Sequence, residues 1–171
     1  MKFLFIIDPL PQLKIYKDSS YAMMREAAAR GHEVWTAQVQ TLHVSAGRVQ
    51  MQAAPLSFTE TQYGHDWYEE GDYANVVLTD FSAVIMRKDP PFDQQYLYAT
   101  HLLSLAQMHG AKVFNSAQAL RDFNEKLSVL RFPEFAAPTL VTQQEDDIRA
   151  FLAGHGDIIL KPLDGMGGMG I

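Results

Sequence analysis

Apolar positions along this chain fall into short runs separated by turn chemistry, and their spacing alternates between strand and helix periods. Phe3 to Ile7 is a continuous apolar run broken by Asp8-Pro9 and Pro11, which reads as a buried parallel strand entering a loop. Asp18-Ser19-Ser20 offers N-cap side chains ahead of a stretch from Tyr21 to Arg30 rich in Ala, Met, Glu and Arg. Gly31 closes that helix. Glu33 to Val39 is rich in β-branched and aromatic residues, so the opening predicts a βαβ unit.

Further along, Leu42 to Ser45 and Val49 to Gln52 flank Ala46-Gly47-Arg48, a hairpin pattern. Residues 55 to 75 are aromatic-rich and show no assignable period. Ala83 to Met86 predicts a strand, which Arg87-Lys88-Asp89-Pro90-Pro91 ends, because prolines cannot continue a ladder. Tyr96, Ala99, Leu102, Leu103 and Ala106 recur at helical spacing and Gly110 stops them. Lys112 to Phe114 reads as a strand, and Asn115-Ser116 caps a short helix to about Asp122. A second region opens near Phe123, with a helix over 125–132, a strand over 138–142, a helix over 145–152 and a strand over 157–161. The boundary falls between Ser116 and Asn124, with no Gly/Ser linker to mark it.

Composition narrows the function classes. The 171 residues are 47% apolar and 20% charged, as expected for a folded core. Net charge is −6, which argues against a broad nucleic-acid surface and for no nucleic-acid partner. No apolar run approaches the ~18 residues of a spanning helix, so no membrane partner is expected. Phe3 to Ile7 is too short for a signal peptide, and a cytoplasmic location is the expectation. With no cysteine, disulfides, thiol catalysis and thiolate zinc sites are excluded. The 6 histidines show no metal-site spacing, so no metal ligand is assigned.

The chemistry concentrates in three places. Gly165, Gly167, Gly168 and Gly170 follow a predicted strand that carries Lys161. Glycine lets the backbone approach a ligand, successive N–H groups can cradle phosphate, and a lysine adds a point charge. A flexible turn is the plain alternative. The spacing formally fits G-x-G-x-x-G, but a dinucleotide fingerprint needs a following helix and a later acidic residue, and no Walker A lysine is present. Because one residue remains after Gly170, the chain is expected to be an N-terminal fragment.

Arg87, Lys88 and Asp89 follow a strand, where α/β ligand sites lie. Arg87 could grip a carboxylate through two parallel bonds, with Asp89 orienting it. A surface ion pair is the plain alternative. Ser19 and Ser20 could meet an anion at a helix N-terminus or simply cap it, and Asp8 could line the same crevice or form a turn. Tyr63, Trp67, Tyr68 and Tyr73 are core or a subunit contact.

Six segments carry a resemblance. Ile6-Ile7-Asp8-Pro9, Lys17-Asp18-Ser19-Ser20, Met86-Arg87-Lys88-Asp89-Pro90-Pro91-Phe92-Asp93, Leu120-Arg121-Asp122, Asn124-Glu125-Lys126-Leu127 and the run from Ile158 to Gly168 together resemble bacterial glutathione synthetase. That family consists of ATP-grasp ligases that join γ-glutamylcysteine to glycine through an acyl-phosphate, using ATP and Mg²⁺. The resemblance implies an α/β fold: a parallel-sheet substrate-side domain over 1–122, then the start of an ATP-grasp domain over 123–171. It implies nucleotide contacts from Lys126, Lys161, Gly165, Gly167 and Gly168. Asp18, Ser19, Ser20, Arg87 and Asp89 would serve the peptide substrate. Metal ligands are expected beyond residue 171, so no catalytic set is complete and the chain alone is expected to be inactive. A homo-oligomer is also implied. Two alternatives stand beside this: a non-catalytic module for a small anion or partner protein, and a related ATP-grasp ligase with another amino-acid substrate.

Overall fold

The N-terminal apolar run becomes β1 (Lys2–Ile6), the strand on which the rest of the sheet is laid. The computed structural model describes residues 1–59 and 66–163. After β1 come α1 (Ser19–Ala29), β2 (Glu33–Ala37), β3 (His43–Ser45), β4 (Arg48–Phe58), β5 (Tyr68–Glu70) and β6 (Ala74–Val77). They are followed by β7 (Ala83–Met86), α2 (Gln94–Met108), β8 (Val113–Phe114), α3 (Ala117–Asp122) and α4 (Glu145–His155). The chain divides into two units, Met1–Arg121 and Asp122–Ile171.

The sheet runs β3-β4-β2-β1-β7-β8, with β5 and β6 also paired to β4. The pairs β2–β1, β1–β7 and β7–β8 are parallel, as the sequence predicts. β4 is antiparallel to β2, β3, β5 and β6, so the sheet as a whole is mixed. In this antiparallel half the expected hairpin forms as β3 and β4, and β4 runs on into the stretch left unassigned. Pro55, at the start of that unassigned stretch, sits inside β4 opposite Trp35. Proline lacks only the donor, and the Pro55 carbonyl still accepts from Gly71 N at 2.9 Å.

Period-two alternation on β1 sends successive side chains to opposite faces. Leu4 and Ile6 join Val84, Met86 and the α2 residues Ala99, Leu103 and Ala106. Phe5 and Ile7 join Val34, Leu56, Trp67 and the α1 residues Met24 and Ala27. The two crossover helices therefore cover opposite faces, and β1 is buried on both. Each fully buried Leu, Ile or Met contributes about 1.5–3 kcal/mol.

Both crossover helices end in the same way. Gly31 (φ 76°) and Gly110 (φ 98°) take the left-handed conformation that L side chains resist. His32 N then donates to Ala27 O, and Ala111 N to Ala106 O, satisfying carbonyls in the last turn.

The β3–β4 hairpin turns through Ala46 (φ 48°) and Gly47 (φ 72°), both left-handed. Alanine at such a position costs about 1–2 kcal/mol of strain, while asparagine tolerates it better. Ala46→Asn is expected to stabilise the first unit by roughly 0.5–1 kcal/mol, measured as a higher urea midpoint.

In the second unit, Asn124 Oδ1 accepts from the N–H groups of Lys126 (2.9 Å) and Leu127 (3.0 Å), shaping a turn. That turn leads into 3-10 turns at Ser128–Arg131 and Pro133–Phe135, not the predicted regular helix over 125–132. α4 matches its expected place, with Glu145, Asp146 and Asp147 in its first turn favouring the helix dipole. The strands predicted over 138–142 and 157–161 do not form. A strand needs a neighbour to complete its ladder, and these segments pair with none among the described residues. No described residue from Asp122 to Leu163 is buried.

Candidate functional site

The parallel part of the sheet creates the site. From β1 the chain crosses through α1 to β2 on one side, whereas β7, on the other side of β1, crosses through α2 to β8. The carboxyl ends of β1 and β7 are thus where the chain paths diverge, and α/β sheets leave a crevice at such a point. Asp8 follows β1, Arg87 to Asp89 follow β7, and the N-terminus of α1 opens beside them.

Asp18 is the N-cap of α1. Its Oδ1 accepts from Ser20 N (2.7 Å) and Tyr21 N (3.0 Å), which fixes the helix start. Those two N–H groups are therefore already paired. Ser20 is buried, and its Oγ accepts from Arg87 Nε at 3.1 Å across 67 residues of sequence. Ser19 is exposed. The plain capping role thus belongs to Asp18, and Ser20 is what ties α1 to Arg87.

On the other wall, Lys88 Nζ meets Asp8 Oδ1 at 2.9 Å, and the pair is mostly shielded from solvent. Asp8 Oδ2 accepts from Asp89 N at 2.8 Å, and Lys88 Nζ also donates to Asp89 O at 2.8 Å. Asp8 thus ties the turn after β7 back to the end of β1. The expected orienting bond from Asp89 to Arg87 is not the one formed: Ser20 holds the guanidinium. Among the described residues, Arg87's terminal nitrogens and Asp89's carboxylate make no hydrogen bond or ion pair.

Electrostatics follow from this packing. Partial desolvation holds the Asp89 carboxyl above its ordinary value, Asp8 and Asp18 push it further up, and Arg87 and Lys88 oppose them. Burial raises the Tyr96 phenol, with Arg87 lowering it and Asp89 and Asp8 raising it. Tyr96, read from spacing as a core residue of α2, therefore stands within electrostatic reach of the same charges. Its helical period signalled burial and gave no hint of those neighbouring charges.

A folded-state carboxyl with a raised pKa binds protons more tightly than the unfolded chain. Its contribution to stability is complete below the ordinary value of 3.8 and is lost as pH rises through the raised value. Asp89→Asn removes that penalty. The variant is expected to be slightly more stable than the parent at pH 7, and the difference should vanish below about pH 4, checked by urea denaturation at both.

The aromatic segment that the sequence left unplaced supports this site. Trp67 is buried against Tyr21 (ring centroids 5.0 Å, 89°), Phe58 (5.8 Å) and Tyr68 (4.6 Å). Tyr73 is exposed, and its hydroxyl donates to Glu70 at 2.8 Å. Tyr63 lies outside the described residues. An open cavity of about 460 Å³ bounded by Arg48, Thr79, Ala106 and His109 lies apart from these charges.

The second unit holds the expected nucleotide residues. Lys126 Nζ contacts Glu125 Oε1 at 2.8 Å and donates to Leu163 O at 3.4 Å, which brings the turn after Asn124 to the segment that follows Lys161. Lys161 is exposed. Gly165, Gly167 and Gly168 lie outside the described residues. Among the described residues, no group of three or more His, Asp or Glu is placed to hold a metal, and no helix is long and apolar enough to cross a membrane.

Comparison with known proteins identifies the family. Residues 1–121 match the family model for the N-terminal domain of prokaryotic glutathione synthetase. Residues 125–171 match the model for its ATP-grasp domain. The chain is 57% identical to a glutathione synthetase of Neisseria meningitidis serogroup A, covering 100% of this chain and 54% of the relative. It is 54% identical to that of Ralstonia nicotianae, covering 100% and 52%. It is 44% identical to that of Vibrio parahaemolyticus, covering 100% and 54%. The chain spans about half the length of the curated relatives it matches. Two domain models in order and identity along its whole length place it: the chain belongs to the prokaryotic glutathione synthetase family.

Proposed function

We propose that the full-length polypeptide carrying these residues is an ATP-dependent ligase that joins γ-glutamylcysteine to glycine. The observation that carries this reading is the charged corner at the carboxyl ends of β1 and β7, where Arg87 is anchored on Ser20 and its terminal nitrogens have no partner among the described residues. Whole-length likeness to glutathione synthetases supports it.

In this reading the cysteinyl carboxylate attacks the γ-phosphorus of ATP, ADP leaves, and an acyl-phosphate forms. Glycine's amine then attacks the acyl carbon, phosphate departs, and the nitrogen loses a proton. Such transfers are accelerated chiefly by positioning and charge neutralisation. Arg87 holds the peptide substrate, and the Asp18 cap fixes the helix start that carries Ser20. Lys126 and Lys161 supply positive charge to nucleotide phosphates, and backbone N–H groups at Gly165, Gly167 and Gly168 would join them. Mg²⁺ would neutralise phosphate charge; no ligand to it is assigned among the described residues. A cytoplasmic homo-oligomer belongs to the same reading.

The test is phosphate release from Mg-ATP by the full-length protein with γ-glutamylcysteine, glycine, both or neither. Release that requires both supports the ligase. Release independent of either overturns it, and the 171 residues alone are expected to show none. Lys161→Ala in the full-length protein is expected to weaken ATP binding about 10-fold, the size of one lost charge-assisted contact, measured by nucleotide titration. Unchanged affinity would remove Lys161 from the nucleotide site.

A further inference from the structure

We propose that the open cavity between the β3–β4 hairpin, the turn after β6 and the end of α2 is a second ligand site, which takes a small organic phosphate: one oxyanion on an apolar body. The proposal stands apart from the ligase reading, because no residue that lines this cavity belongs to the charged corner. α2 separates the two places. Tyr96 lies near its start, Ala106 near its end, and His109 is its C-cap. At a rise of ~1.5 Å per residue, His109 stands about 20 Å along the helix from Tyr96.

The cavity exists because a ladder stops short. β4 and β6 pair from Ala53↔Ala74 to Gln50↔Val77. Leu78 then leaves the strand for a 3-10 turn over Leu78–Asp80, while β4 extends to Arg48. The two backbones part there. Val49 and Leu78, with Ala106 of α2, form an apolar, buried floor. Arg48, Thr79 and His109 form an exposed rim. The volume, about 460 Å³, lies within the roughly 300–1,000 Å³ that small-molecule sites span.

Pairing says what would enter. Among the described residues, Arg25, Arg30, Arg87, Arg121, Arg131 and Arg149 each donate a hydrogen bond within the chain. Arg48 is the arginine whose side chain donates none. The Thr79 hydroxyl and the His109 ring likewise make no hydrogen bond, ion pair or ring contact among the described residues. No Asp or Glu lines the cavity, although acidic residues outnumber basic ones 20 to 14 along the chain. A guanidinium, an imidazole and a hydroxyl without a carboxylate favour an oxyanion. Three donor groups outnumber the two oxygens of a carboxylate, whereas the three terminal oxygens of a phosphate ester can accept from all of them. A bare phosphate would use the rim and leave the floor wet. An apolar group attached to it covers Val49, Leu78 and Ala106, and that burial adds affinity.

Phenyl phosphate is the probe, with inorganic phosphate and phenol as its two halves. Binding to the full-length protein would be followed by titration calorimetry, with ADP in excess to fill any nucleotide site. Phenyl phosphate is expected to bind at least about 10-fold more tightly than either half. Arg48→Met should weaken it about 10- to 100-fold, the loss of a charge-assisted contact, and Arg48→Lys should keep part of the affinity. Arg48 is exposed and unpaired among the described residues, so both variants should keep the parental urea midpoint. Arg87→Met, at the charged corner, should leave phenyl phosphate binding unchanged. No saturable binding, or affinity for phenyl phosphate no better than for phosphate, overturns the proposal. So does affinity that Arg48→Met leaves intact or that Arg87→Met removes.

Discussion

Replacing Trp67 by alanine is expected to cost the first unit about 3–5 kcal/mol, the loss typical of truncating a fully buried aromatic. The indole is 1% exposed and is enclosed by Tyr21, Phe58 and Tyr68. Removing it takes away its own transfer free energy and leaves a cavity between β4, β5 and α1. Trp67→Phe keeps part of the ring contact and should cost less. Trp35 remains as a fluorescent reporter, so urea unfolding monitored at the indole band can compare all three proteins. A consequence at the site should accompany the loss. Tyr21 N and Ser20 N are the two donors that hold Asp18. In the full-length protein, under the proposed ligase reading, a loosened Tyr21 should raise KM for γ-glutamylcysteine while leaving that for ATP unchanged. A loss under about 1 kcal/mol would show that this hairpin is not part of the core.

Arg87→Met in the full-length protein is expected to lower kcat/KM for γ-glutamylcysteine by about 100- to 1,000-fold, with KM for ATP unchanged. The side chain is of similar length and apolar, so it keeps packing and removes only charge and donors. Two parallel bonds to a carboxylate are among the strongest that a side chain makes, and a partly shielded site strengthens them. Arg87→Lys should recover little. Lysine offers a point charge, and it cannot bond Ser20 through an Nε while presenting a planar fork to a ligand. A loss shared equally by the ATP and peptide constants would point to a misfolded crevice instead.

The residues that sequence alone placed well share one property: their structure is dictated by near neighbours. Phe3 to Ile7 is apolar at every position and became a strand buried on both faces. Asp18 capped α1, and Gly31 and Gly110 ended the two crossover helices, because caps and left-handed stops act within one turn. Arg87 and Asp89 stood at the end of a predicted strand, and their neighbourhood with Asp8 followed from parallel pairing. The order of segments also carried the family.

Where the sequence was silent or misleading, the outcome depended on distant partners. Pro55 lies within β4 because its ladder needs only an acceptor there. Tyr68–Glu70 and Ala74–Val77 are strands because β4 offers them pairing, and their local pattern gave no period. The segments 138–142 and 157–161 have strand-like patterns yet form no ladder, since none pairs with them among the described residues.

By itself, then, the sequence determined the elements whose causes lie within a few residues: the central apolar strand, the capped crossover helices, the hairpin turn and the family motifs. Only the tertiary structure decided that Ser20, and not Asp89, holds Arg87, and that Asp8 is consumed by Lys88 and the Asp89 backbone. It also decided that Trp67 braces the helix start. A hydrogen bond is set by a few tenths of an ångström and by direction, and bonds spanning 67 and 81 residues are fixed by packing of the whole sheet, which no local pattern records.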